Sequence, residues 1–308
     1  MAVSTQPPPV RASSRPARAP TAAPTAGVGA AANIDGGRAA RRQARARRRE
    51  RIAAVAAPIV LFAALLALWE AVVQVNRVSP STLPAPSLVV ETLVKNWGSL
   101  APALWSTAKL TITALGAAVL GGVLLAAAFA GSKWVQISLL PVAVVLQVTP
   151  IVAIAPLVLL YLDSTAAALL VCTWVVALFP ILSNTVTGLK SADGHLRDLY
   201  SLYGATPWQR LRFLIMPSAL PHFLGGLKAA GGLALVAAVV AEFTAASVGR
   251  HTGLGSRILD SMVRTEVAMM FAALALVSLL GIALFVVLAV LAHLLLGHWH
   301  ESESRRET

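Results

Sequence analysis

The sequence predicts an all-α, polytopic membrane protein, and three observations lead there. Apolar residues make up 57% of the 308-residue chain and charged ones only 12%, with a mean hydropathy of +0.75; soluble domains run at roughly 45–50% and about 25%. The apolar residues come in runs long enough to cross a hydrocarbon core, which takes about 20 helical residues. The basic residues gather in the N-terminal tail and in short gaps between the runs. A soluble fold of this size would expose large apolar patches. A net charge of +12 distributed in this way describes membrane topology, not a nucleic-acid surface. In lipid each span must satisfy its own backbone hydrogen bonds, so the runs are helices.

Residues 1–51 show no hydrophobic periodicity. Stretches such as PPPV, RPARAP and RRQARARRRER predict a disordered, basic cytoplasmic tail that can lie against anionic lipid head groups. A secretory signal peptide is not expected, because the polar lead is too long and the apolar run from Ile52 to Val75 exceeds an h-region. Residues 52–297 predict six spans, at about Ile52–Val75, Leu104–Ala130, Ile137–Leu162, Thr165–Leu189, Leu224–Ala246 and Val267–Leu296. Only Asp163 and Ser164 punctuate the third and fourth, yet a turn must fall there, since so long a run cannot cross once. Residues 298–308 form a short second tail. There His298, Trp299, His300 and Glu301 read as a membrane-surface anchor rather than a metal site.

Placing the N-terminus in the cytoplasm puts the tail, Lys133, the Lys190–Arg212 segment and Arg305–Arg306 inside. Arg77, Lys95, Arg250, Arg257 and Arg264 then lie outside, with Glu91, Asp260 and Glu266 among them. The basic excess is internal, as the positive-inside rule requires, and an even span count places the C-terminus there too.

Between the fourth and fifth spans, about 190–223, the chain is too charged to cross and too long for a tight turn. It predicts two short amphipathic helices. Asp193 caps the first, and Gly204 stands where a C′ glycine belongs. Thr206 caps the second, with Pro207 at its first position. Trp208, Leu211 and Leu214 or Ile215 then recur on one face, and Pro217 and Pro221 are expected to stop the helix. Such an apolar face has three possible covers: lipid, the protein's own spans, or another protein.

The stretch DLYSLYGATPWQRLRFLIMP resembles the cytoplasmic EAA loop of ABC importer permeases. That pattern has Glu-Ala-Ala, three residues, Gly, nine residues, then Ile-x-Leu-Pro. Here Asp198 stands at the Glu position, with Leu199 and Tyr200 replacing the two alanines, Gly204 at the glycine, and Leu214, Ile215, Met216 and Pro217 closing the motif. The resemblance covers most of residues 80–265. LPAPS at Leu83–Ser87, PVAVVLQVTPIVAIAPLVLLYLD at Pro141–Asp163, FPILSNTVTGLKSAD at Phe179–Asp193, GLKAAGGLALVAAVVAEF at Gly226–Phe243 and Gly253-Leu254-Gly255 follow in order. They look like the nitrate, sulfonate and taurine branch of these inner-membrane components. One departure lies at Tyr161-Leu162-Asp163, where related permeases often carry Trp-Phe-Gly.

The resemblance implies a pathway for a small anionic nutrient such as a sulfonate or nitrate. It implies a second permease subunit, in the usual case a second copy, two cytoplasmic ATPase subunits, and an extracytoplasmic substrate-binding protein. It assigns ATPase coupling to Asp198, Leu199, Tyr200, Gly204, Ala205, Thr206, Trp208, Leu211, Leu214, Met216 and Pro217. ATP and Mg are expected on the partner ATPase and no cofactor on this chain. Consistently, the sequence has no GxxxxGK[ST] phosphate loop, since Gly131-Ser132-Lys133 lacks the preceding glycine. An enzyme is therefore not expected, nor a nucleic-acid partner.

Polar or helix-breaking residues inside spans are the candidates for the pathway. Pro150 and Pro156 interrupt the third span, where ordinary packing and a broken, pathway-lining helix both stand as readings. Asn184 and Gln147 suit interhelical hydrogen bonding. Glu242 is either a gate or structural element of the pathway or an end residue that snorkels to water, and Lys109 poses the same question. Cys172, the single cysteine, makes no intramolecular disulfide and no thiolate metal site. The competing function is an ion-coupled secondary transporter, which needs ionisable groups deep in the spans; Glu70, Asp163 and Glu242 sit near span ends.

Overall fold

A computed structural model describes residues 56–296, and within them there is helix and no strand. The N-terminal tail and the His298–Glu301 group lie outside the described residues. The chain divides into two units, Met1–Leu65 and Leu66–Thr308. Of the first, only the start of α1 (Ala56–Val75) is described; there Ile59, Val60, Leu61 and Phe62 are exposed.

From Leu66 onward α1 is followed by α2 (Pro86–Lys95), α3 (Trp97–Gly131), α4 (Lys133–Val148), α5 (Ile151–Tyr161) and α6 (Thr165–Lys190). Then come α7 (Gly194–Leu202), α8 (Pro207–Arg210), a π-helical turn at Leu211–Ile215, α9 (Met216–Ser247), α10 (Gly253–Val263) and α11 (Val267–Leu296). Among the described residues five runs are long and apolar enough to cross a membrane: α1, α3, α6, the continuous Pro207–Ser247 helix, and α11.

The expected third span is two helices. Thr149 and Pro150 both adopt extended conformations, with ψ of 122° and 126°. The cause is local: proline has no N–H to give and disfavours α geometry in the residue before it. Thr149 Oγ1 donates to the Val145 carbonyl at 2.7 Å, so the broken end is partly satisfied by its own side chain. The turn at Asp163 and Ser164 is where the sequence placed it, with Ser164 Oγ accepting from the Ala167 N–H to cap α6.

There are three further differences. α3 begins well before Leu104, at Trp97, and runs through Pro102 at its sixth position. α2 was not foreseen; its own N-cap, Ala85, cannot cap. The Glu70 carboxylate does so instead, accepting from the Ser87 N–H at 3.0 Å and Oγ at 2.7 Å. Pro217 and Pro221 do not stop the loop helix, which runs on into α9. The π turn explains the passage through Pro217: the Met216 N–H reaches back five residues to the Leu211 carbonyl. The widened turn relieves the crowding that Pro217 would otherwise cause.

α6 packs between α3 and α9. Backbones approach closely where a side chain is absent: a Cβ on Gly226 would lie 2.7 Å from Asn184 Cβ and 2.8 Å from the Pro180 carbonyl oxygen. In lipid, such small-residue seams hold helices together by packing. Around this seam Leu115, Ile181, Leu224, Ala230 and Leu288 form the main apolar cluster.

Candidate functional site

Two local structures carry most of the polar organisation, and they lie toward opposite ends of α9. The first is the loop from Ser191 to Ile215. Asp193 caps α7 by accepting from the His195 N–H at 2.8 Å. At the other end of α7, Gly204 has φ +66°. The Ala205 N–H reaches the Tyr200 carbonyl at 2.9 Å and the Gly204 N–H the Ser201 carbonyl at 3.1 Å. This is the paired bond pattern of a left-handed helix stop. α8 opens with a reciprocal cap: the Gln209 N–H donates to Thr206 Oγ1 at 3.3 Å, and the Thr206 N–H donates to Gln209 Oε1 at 2.8 Å. Two arginines tie the pieces together. Arg197 Nη2 donates to the Leu189 carbonyl at the end of α6 at 3.1 Å, and Arg210 Nη2 donates to Ser201 Oγ at 3.0 Å.

The loop is thus held at every junction, yet it shows apolar side chains to the outside. Leu202 and Tyr203 are more than four-fifths exposed, at 84% and 82%. Leu199, Trp208, Phe213 and Met216 are exposed as well. Leu214 is buried, and Tyr200, Ala205, Leu211 and Pro217 are half-buried; Asp198, Gly204 and Thr206 are exposed. The single apolar face expected for Trp208, Leu211 and Leu214 therefore divides. α8 is one turn long and the π turn shifts the register, so Trp208 points away from the side that Leu214 packs. The sequence reading missed Leu202 and Tyr203, the largest exposed apolar surface here. Their signal was bulky apolar residues at the end of a helix of polar character.

The second structure surrounds Glu242, which is fully buried. It does not reach water. Its carboxylate accepts from Thr107 Oγ1 of α3 at 2.8 Å and from the Gly255 N–H of α10 at 3.0 Å. Thr107 Oγ1 in turn accepts from the Leu254 N–H at 2.8 Å. Ser256 Oγ lies within reach of the Glu242 carbonyl, at 3.3 Å. A buried carboxylate at the first turn of α10 is favoured by the helix dipole and the free N–H groups there. Gly253 has φ +69°, and a Cβ on it would sit 1.9 Å from Glu242 Oε1. Gly253-Leu254-Gly255 and Glu242 are two halves of one latch joining α3, α9 and α10.

The other pathway candidates are more dispersed. Pro150 begins α5 and Pro156 lies within it, both exposed. Asn184 Nδ2 donates to the Pro180 carbonyl of its own helix at 2.8 Å, not across to another. Gln147 is exposed on α4. Cys172 is buried among Ala155, Leu159, Leu169, Ala241 and Ala245.

Comparison with known proteins decides what this arrangement belongs to. Residues 118–297 match the binding-protein-dependent transport system inner membrane component family. The chain is a member of that family. It is 31% identical over 258 residues to the riboflavin transport system permease protein of Chloroflexus aurantiacus, covering 81% of this chain and 91% of that one. It is 29% identical over 240 residues to the taurine transport system permease protein of Escherichia coli, covering 75% and 82%. A crystal structure of an amino acid ABC transporter shares the fold at 17% identity with a TM-score of 0.53, over 66% of this chain and 94% of that one. The chain is an ABC importer inner-membrane permease, a multi-pass protein of the plasma membrane. Family membership sets the secondary-transporter alternative aside.

Proposed function

We propose that this permease couples ATP hydrolysis on separate cytoplasmic ATPase subunits to import of a small nutrient bearing an anionic group, a sulfonate, nitrate or related solute. In this reading α4 and α5 count together as one crossing, because neither alone reaches the roughly 20 residues a span needs. Six crossings then put both termini and the Ser191–Ile215 loop in the cytoplasm and the Glu242 latch toward the outer face. A second copy of the chain completes the pathway, and an extracytoplasmic binding protein delivers the solute. ATP and Mg act on the ATPase, and this subunit is not itself an enzyme.

The observation that carries the proposal is the exposed apolar group of Leu202, Tyr203 and Trp208 on a loop fixed by caps and arginine bonds. Force passes between separate chains only through a surface that is both anchored and stiff. The apolar side chains supply the anchor, at roughly 25 cal/mol per Å² of surface buried on docking. The caps supply the stiffness, and α8 continues without a break into α9, so displacement of the loop displaces a span.

Cysteines introduced at Leu202 or Trp208 should cross-link to the ATPase in the assembled complex, and cross-linking should change when a non-hydrolysable nucleotide is added. An assembled, ATP-hydrolysing complex in which neither position meets the ATPase sinks the coupling assignment.

A further inference from the structure

A cavity that the coupling reading does not use is lined by Thr252, the residue that precedes Gly253 of the latch. It has a volume of about 410 Å³ and opens between α3, the first turn of α6 and the strap that precedes α10. From α3 it takes Lys109, Ser106 and Thr113; Leu110 and Leu170 supply apolar surface; Thr252 closes it from the strap. Lys109 is the only charged residue of the lining, and no acidic residue joins it. Among the described residues no carboxylate pairs with Lys109. The Thr252 hydroxyl is shielded from solvent and has no hydrogen-bond partner. Ala166 and Ala167, in the lining, belong to the first turn of α6, so the positive end of a 26-residue helix borders the same space.

Each feature favours negative charge, and none opposes it within the lining. Lys109 is exposed and stands five residues inside the span expected from Leu104, and an unpaired lysine in an apolar run attracts an anion. The nearest buried carboxylate, Glu242, is occupied on the other side of Thr107 by its own donors. We infer that this cavity is a binding site for an oxyanion group, a carboxylate, sulfonate or phosphate, which Lys109 pairs with and the Ser106 and Thr252 hydroxyls orient. It deepens the import reading by placing recognition of the solute's anionic group at the end of the chain assigned outward. The same chemistry is offered by an acidic lipid head group.

Binding to the full-length chain in lipid nanodiscs tests it, with the lysines carrying ¹³C-methyl groups that preserve their charge. Lys109→Arg removes one resonance and so assigns it. In neutral phosphatidylcholine discs, methanesulfonate should move the Lys109 signal to saturation while Lys95, Lys133, Lys190 and Lys228 follow ionic strength alone. Thr252→Val should raise the half-saturating concentration severalfold. In a second arm, discs containing phosphatidylglycerol and no sulfonate report a lipid source. Saturation in the first arm assigns a solute oxyanion, and displacement only in the second assigns a head group. If Lys109 tracks the other lysines in both arms, or chloride at equal ionic strength reproduces the shift, the site does not exist. The readout needs neither ATPase nor transport, so its failure is distinct from failure of the cross-links at Leu202 and Trp208.

Discussion

Substituting Gly255 by alanine should unlock the α10 strap. A Cβ at this position would lie 2.3 Å from the Val239 carbonyl oxygen, 2.8 Å from Glu242 Cβ and 2.9 Å from the Phe243 nitrogen. Two of these three are backbone atoms of α9, which no rotamer change can move. The helices must part by about 1 Å to restore ordinary van der Waals separation. The Gly255 N–H to Glu242 bond, now 3.0 Å, then stretches beyond hydrogen-bonding range. Overpacking costs about 1–3 kcal/mol, and the buried Gly255 N–H left unpaired costs about 1–3 kcal/mol more. The expected loss is therefore about 2–6 kcal/mol.

The chain carries its own reporter. Cys172 is the sole cysteine and is buried against Ala241 and Ala245, on the α9 turns that flank Glu242. A thiol-reactive fluorophore added to the purified protein in detergent should label it slowly until the bundle opens. At about 1.4 kcal/mol per tenfold, Gly255→Ala should raise the labelling rate by at least an order of magnitude and lower the thermal midpoint. Gly98→Ala is the control, because its added Cβ meets nothing within 4 Å; it should label as the native protein does. Equal labelling of Gly255→Ala and native protein would refute the latch.

Other substitutions separate its parts. Glu242→Gln should leave Cys172 protected, because an amide oxygen still accepts from Gly255 and the amide N–H₂ can donate to Thr107, whose hydroxyl has the Ala103 carbonyl at 3.2 Å as its alternative acceptor. Glu242→Ala leaves the Gly255 N–H unpaired and should expose Cys172 in the same assay. Gly204→Asp should insert and fold, since the added Cβ meets nothing and the left-handed backbone costs about 1–2 kcal/mol. ATPase activity of the assembled complex should nonetheless fall. Gly226→Val forces α6 from α9 at the Pro180 carbonyl and should lower the thermal midpoint more than any loop substitution does.

The features legible in the sequence were those set by local chemistry. Asp193, Gly204, Thr206 and Pro207 each occupy the cap position expected of them, because a cap is decided within a few residues. The turn at Ser164 was legible for the same reason. What the sequence concealed depends on partners distant along the chain. Thr107 lies 135 residues from Glu242, and no local pattern marks a threonine in an apolar helix as the ligand of a carboxylate. The Glu70 cap on α2 and the passage of α9 through two prolines were hidden in the same way. Glycine spacing was the available hint: Gly253-Leu254-Gly255 places two residues without side chains where a carboxylate must fit.

The two constrained structures share one helix. From Pro207 to Ser247 the chain is a continuous 41-residue helix, about 60 Å long at 1.5 Å per residue. One end projects the exposed Trp208 and the other carries Glu242. In the coupling proposed above, a rod of this kind would transmit displacement only if both of its ends are held, and both are bonded to neighbouring elements. The loop end is braced to α6 through Arg197 and to α7 through Arg210, and the far end is bonded to α3 and α10. On that proposal, motion imposed at the loop would be absorbed where the backbone is interrupted. Thr149 and Pro150 are such a place: two extended residues between short helices, both exposed, with α5 packed against α6 and α9 on the far side. The break between α4 and α5 and the latch on α9 are then complementary. One interrupts the backbone between two helices, and the other bonds three helices to one another.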